Sequence, residues 1–274
     1  MSLSFYRFGT AINWSALSSI GNSRIAQLTV IMPFVGYLIV FNTTLSDYFS
    51  TILPAALGNE TADFWTFLYS RNLYFLYFGL LFFGSGVALF NVAAPPQIRR
   101  FPVVESYISA MGTIKTPSLV IVSFEKVIEM YFDNLHGEER SPLFSSTRIG
   151  FPYDVNADLH RFVESLYLAI DLSQEDSELA GSLFEESFRS GSGYILTDEI
   201  LETAYSGNRV VKILQKQLLD ESVAHPNDVF YLEHRALDYT QGLTRIAVFL
   251  FYATGSVLLV LPSIVTSIVI LKLW

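Results

Sequence analysis

Three long stretches of the chain carry no charge: Ile25 to Asn42, Leu73 to Ala93 and Ile246 to Leu271. A helix needs about 20 mostly apolar residues to cross the roughly 30 Å of hydrocarbon in a bilayer. The first stretch is slightly short, the second is long enough, and the third is long enough to cross with some tilt. The pattern predicts three transmembrane helices rather than buried core helices. A cleaved signal peptide is the other reading of the first stretch. Its apolar run begins about 24 residues in and is longer than the 7–15 residues typical of such signals, which favours a retained anchor.

Between the second and third stretches the pattern changes to helical amphipathicity. Ala94-Pro95-Pro96 ends the second span. Pro117 suits the first position of a helix whose apolar face is Leu119, Val122, Phe124, Val127, Ile128 and Phe132. Asp154 or Asn156 suits the cap of a second helix running to Leu172, with Leu159, Phe162, Leu166 and Ile170 recurring every three or four residues. Ser177 to Ser187 reads as a third helix, Thr197 caps a fourth, Asn208 opens a fifth with Val211, Leu214 and Leu218 inward, and Pro226-Asn227-Asp228 starts the last. Arg140 to Asp154 and Arg189 to Tyr194 read as loops.

The expected fold is therefore mostly α: an integral membrane protein with three transmembrane helices and an acidic, mainly helical cytoplasmic domain inserted between spans two and three. The layout is an N-terminal interfacial segment at 1–23, spans at 24–42, 71–93 and 245–274, an external loop at 43–70 and the cytoplasmic domain at 94–244. The interfacial segment reads either as a short helix along the inner surface carrying Phe5, Phe8, Ile12, Trp14 and Leu17, or as a disordered tail. Asp228 to Arg245 reads either as one helix running into the third span, with Gly242 as its hinge, or as two helices with a break.

Composition supports a membrane setting: hydrophobic residues are 51% and charged residues 16% of the 274, against roughly 25% charged in soluble domains. The net charge of −9 is unevenly spread. Residues 94–244 hold 12 Lys and Arg against 23 Asp and Glu, which argues against nucleic acid as a partner, because phosphate binding needs clustered cations. Arg7 and Arg24 precede the first span, Arg99 and Arg100 follow the second, and Arg235 and Arg245 precede the third. The positive-inside rule then makes the N-terminus and the 94–244 domain cytoplasmic and the C-terminus external. The low Lys count beside 12 Arg suggests a bacterial inner membrane. Trp65 and Trp274 are placed at the outer headgroups, and Arg99 and Arg100 against anionic lipid heads.

Chemistry is sparse. Cysteine is absent, which removes disulfides, thiolate metal sites and Cys nucleophiles. The three uncharged cores, 25–42, 73–93 and 246–271, contain no ionisable residue apart from tyrosine, so a proton-coupled transporter is disfavoured. His136, His160, His225 and His234 show no metal-ligand spacing, and Gly191-Ser192-Gly193 completes no phosphate-loop motif. No catalytic, cofactor-binding or metal-ligating residue is assigned, and no cofactor is expected. An enzyme site would require His160, Glu164 and Arg161 to converge with residues of another helix. Glu175, Asp176, Glu178, Glu185 and Glu186 form an acidic run that reads as a solvated face or, as a partner surface, as one suited to a basic protein. Gly84 with Ala88, and Ser263 with Ser267, are small residues four apart, suited to helix packing within one protomer or to oligomerisation.

These features lead to a non-enzymatic membrane protein whose cytoplasmic domain binds a partner or signal and couples it to an oligomerising membrane domain. A bacterial membrane-disrupting or anti-phage effector and a membrane scaffold are two forms of that reading. A membrane-bound enzyme acting on a lipid or nucleotide is the alternative, with a channel or transporter subunit as a third.

Overall fold

The computed structural model describes residues 11–24, 59–114, 116–136, 152–170, 188, 190, 192–206 and 211–273. Among these the chain is almost wholly helical, with no β-strand. The helices are α1 (Trp14–Gly21), α2 (Asn59–Ala93), α3 (Pro96–Arg100), α4 (Val104–Gly112), α5 (Pro117–His136), α6 (Tyr153–Ala169), α7 (Thr197–Ser206), α8 (Val211–Ser222), α9 (Pro226–Asp238) and α10 (Gly242–Leu273). They fall into two compact units, Met1–Ser15 with Pro95–Leu243, and Ala16–Ala94 with Thr244–Trp274.

The second unit is built on α2 and α10, which contain the second and third apolar stretches. Tyr74–Ala93 and Gly242–Pro262 are long and apolar enough to cross a membrane, and the most apolar part of each is only 28% buried within the protein. A core helix of a soluble domain is covered on most of its surface; these two present Leu76, Phe78, Val92, Leu250, Val257 and Val260 outward. The first predicted span, 24–42, lies outside the described residues apart from Arg24, so its crossing is an expectation only. Helix α2 begins at Asn59, well before Leu73, within the stretch expected as an external loop.

The two long helices meet through glycine. A Cβ at Gly255 would stand 2.6 Å from the backbone nitrogen of Phe83, and one at Gly79 would stand 2.9 Å from the Leu259 side chain. Gly86 faces Phe251 and Tyr252 in the same way. Gly79 thus pairs with Leu259, Phe83 with Gly255 and Gly86 with Tyr252, so equal steps forward on α2 are equal steps back on α10. The helices are antiparallel. Ala94 and Thr244, where the chain leaves this unit and re-enters it, consequently lie at the same end of the pair. Ring contacts between Phe82 and Phe251 (6.0 Å) and Phe83 and Tyr252 (5.3 Å) fill the rest of the seam. Of the small residues singled out from sequence, Gly84 is buried and Ala88 is exposed, while the Ser263 and Ser267 side chains lie outside the described residues.

The first unit forms around α9, which packs against α3, α4, α5 and α6. Its buried positions are Val229, Phe230, Leu232, Ala236 and Leu237, together with the polar Glu233, His234 and Asp238. Helix α5 starts at Pro117 as expected and turns Val120, Phe124, Val127, Ile128 and Tyr131 into the core. That stripe has the helical period, and it leaves the predicted core residue Val122 57% exposed on the opposite face. Helix α6 starts at Tyr153 after Pro152, ahead of the expected caps Asp154 and Asn156, and ends at Ala169 rather than Leu172. Proline supplies the helical φ at the entry, and Ile170 takes an extended conformation at the exit.

The stretch from Asp228 to Arg245 is two helices, which decides between the two sequence readings. Helix α9 ends at Asp238, Tyr239 to Gln241 form a turn, and α10 begins at Gly242. Gln241 carries the left-handed φ of +52°, a conformation costly for a residue with a side chain. Gly242 is therefore the first residue of α10, not an interior hinge of one long helix. In the N-terminal segment Trp14 has no exposed surface and Ile12 and Leu17 are buried, while Phe5 and Phe8 lie outside the described residues.

Because the chain has no cysteine, the register of α2 and α10 is directly testable. The pair Gly79→Cys with Leu259→Cys is expected to oxidise to a disulfide, whose Cβ atoms must approach to about 3.8 Å. Gly79→Cys with Val257→Cys is expected to stay reduced, as scored by mobility on non-reducing gels.

Candidate functional site

The first unit contains three groups of interacting polar side chains, built on different sets of helices. Burial in the first is deepest. Glu233 is 4% exposed, accepts a 2.8 Å hydrogen bond from the Tyr107 hydroxyl and pairs with Lys126 Nζ at 2.9 Å. Burial, then the Glu233 charge and hydrogen bond, push the Tyr107 phenol far up, so it remains a donor. His234, 2% exposed, places Nε2 2.9 Å from the Phe101 carbonyl oxygen. These bonds join α9 to α4, α5 and the end of α3, which makes them a structural tie.

Asp238, the last residue of α9, accepts a 2.6 Å hydrogen bond from the backbone N–H of Ser15, while the Trp14 indole N–H donates to the Thr240 carbonyl at 3.0 Å. Ser15 lies in the first turn of α1, where backbone N–H groups have no partner within the helix. Asp238 therefore caps α1 from more than two hundred residues away. Burial pushes its carboxyl up, opposed by the Ser15 hydrogen bonds and by nearby His234 and Arg235.

The second group contains the histidine noted from sequence. His160 on α6 places Nδ1 2.6 Å from Thr197 Oγ1 and Nε2 3.3 Å from the Tyr131 hydroxyl. Tyr131 in turn donates to Asp198 Oδ1 at 3.0 Å. With its one proton given to Asp198, the Tyr131 oxygen can only accept from His160, which assigns the His160 proton to Nε2. Nδ1 then accepts from Thr197. The result is a relay from Thr197 through His160 and Tyr131 to Asp198, an order that aims a base at a hydroxyl. Burial and the Asp198 contact push the Tyr131 phenol up. The convergence draws on α5, α6 and α7, but not on the partners named from sequence. Glu164 is exposed, and Arg161 turns away to Asp158 at 2.7 Å.

The third group lines a groove of about 300 Å³ between α6 and α9, bounded by Asp158, Arg161, Phe162, Asp228, Tyr231 and Leu232. Phe162 and Leu232 are buried and form its floor. Asp158 accepts from Arg161 at Oδ1 and from the Tyr231 hydroxyl at Oδ2, 3.1 Å away. His225, the residue before α9, stands 3.9 Å from Asp228 and edge-on to Phe162. Beyond the groove Arg235 pairs with Asp154. Sequence inspection missed Tyr231 and Asp228 because their relation to Asp158 spans about seventy residues.

Among the described residues no three His, Asp or Glu side chains are arranged to hold a metal ion. Of the expected surface residues, Arg99 is half-buried and Arg100 exposed at the end of α3, with Arg100 over the Phe101 ring at 5.4 Å. Glu175, Asp176, Glu178, Glu185, Glu186 and Trp274 lie outside the described residues, as does the Trp65 side chain.

Two outcomes follow. His160→Ala and Thr197→Val are each expected to lower unfolding stability by about 1–2 kcal/mol, the loss of a part-buried hydrogen bond, measured by thermal denaturation. The raised Asp238 carboxyl contributes stability that is present at acid pH and lost as pH rises through its folded-state value. Asp238→Asn, which keeps an acceptor for Ser15, is therefore expected to exceed wild type in stability at neutral pH, and the gap to close on acidification. The chain matches no family model, no curated protein and no solved structure.

Proposed function

We propose that the protein is a membrane-anchored partner-binding module, non-enzymatic, whose helical unit is held at the cytoplasmic face and coupled to an oligomerising membrane domain. One observation carries this reading. The antiparallel pair of α2 and α10 leaves most of its apolar surface uncovered and delivers both connections to the 95–243 unit at one end. A bilayer satisfies such a pair, because the helices bond their own backbone groups and present only hydrocarbon outward. The inserted unit has its own core and an acidic balance, which suits contact with a basic protein. In a bacterial inner membrane this arrangement serves a scaffold or a membrane-disrupting, anti-phage effector; the latter also needs assembly.

A second reading, a membrane-bound enzyme, is supported by the Thr197–His160 relay. Its weakness is chemical. The same bonds fully account for the relay as a tie among three helices, and Asp198 at its far end is mostly exposed.

The membrane reading predicts that alkaline carbonate leaves the protein in the pellet and that detergent releases it. The coupled reading predicts a detergent-corrected mass of at least twice the 30.8 kDa protomer. A soluble product overturns the first, and a strict monomer overturns the second. Collapse of membrane potential on induction distinguishes an effector from a scaffold.

A further inference from the structure

We infer that the groove between α6 and α9 receives an arginine side chain from a basic protein partner. This names the site behind the partner-binding reading above and rests on it.

The groove has an apolar floor of Phe162 and Leu232, a Tyr231 wall, and carboxylates on both helices, Asp158 and Asp228. An arginine is a long apolar stem ending in a planar cation, and those parts match floor and walls in turn. The structure already contains a stand-in for the ligand: the Arg161 guanidinium sits 2.7 Å from Asp158 Oδ1. That pair shows the carboxylate accepts a guanidinium, yet Arg161 is 74% exposed and makes its contact three residues away on its own helix. Exposed pairs of this kind contribute about 0.2–1 kcal/mol, so they are readily replaced. Tyr231 holds Asp158 from the other side at Oδ2 and fixes its orientation. A partner's arginine that displaces Arg161 would gain what Arg161 lacks, the Tyr231 face and the Asp228 carboxylate. The excess of acidic residues over 94–244 draws such a partner in.

The sign of one substitution separates this from an anion-binding or zwitterion-binding groove. If Arg161 is a displaced competitor, removing it strengthens binding; if it is a ligand contact, removal weakens binding. The experiment uses the full chain in detergent micelles and follows the Leu232 methyl resonances during titration with acetyl-arginine amide. Saturable shifts are expected with acetyl-arginine amide and absent with its neutral isostere acetyl-citrulline amide. Arg161→Ala is expected to tighten binding roughly two- to fivefold. Asp228→Asn should weaken it by a similar factor, and Asp158→Asn by roughly tenfold, the value of a charged hydrogen bond. Unchanged helicity certifies each variant; if Asp158→Asn unfolds, the Arg161 and Asp228 variants decide. The inference is overturned if no saturable shift appears, if Arg161→Ala weakens binding or leaves it unaltered, or if free arginine binds more tightly than its amide, which would place the ligand's carboxylate on Arg161. Carbonate extraction and mass measurement report separately on membrane attachment and assembly, so a failure here leaves those results intact.

Discussion

The close approach of α2 and α10 at Gly79, Gly86 and Gly255 is the constraint on which the remaining architecture depends. In an apolar surrounding two helices gain little from hydrophobic burial against one another, and their contact rests on van der Waals fit. Fit of that kind requires backbones to come near, and Gly255 lets the Phe83 backbone occupy space that any Cβ would fill. The antiparallel register that results puts residues 94 and 244 at one end. A unit of some 150 residues then becomes an insertion tied at both of its ends, and not a tail.

Inside that insertion the organising element is α9, a short helix asked to be buried nearly all round. Its sequence meets the demand with apolar residues at most positions and with Glu233, His234 and Asp238 at three others. Polar groups in such a place are expensive unless they have partners. Each finds one on a different stretch of chain: Tyr107 and Lys126 for Glu233, the Phe101 carbonyl for His234, the Ser15 amide for Asp238. The last of these binds the N-terminal segment to the turn where α9 gives way to α10. Trp14, buried beside it and bonded to Thr240, fastens the same turn.

Thr197, His160, Tyr131 and Asp198 form an ordered chain of protons, but every member is also a rivet between helices. The groove over Phe162 and Leu232 differs, because Asp158 is held by Arg161 and Tyr231 while the rim stays open.

Much of the helical content was legible in the chain itself, because local rules govern it. Pro117 opens α5 and Pro226 opens α9 where the fixed φ of proline permits, and uncharged runs of some twenty residues mark α2 and α10. The 3.6-residue period placed Leu159, Phe162 and Leu166 inward correctly. It misplaced Val122, since neighbouring phases of an apolar-rich helix differ little until a partner surface selects one. Tertiary packing alone decided the break at Tyr239–Gln241: the preceding residues favour helix, and the turn is held by Trp14 and Ser15, far away along the chain. The same holds for the partners of His160 and Asp158. Sequence spacing suggested Glu164 and missed Tyr231, because side chains on different helices meet through packing, which spacing along one helix does not encode.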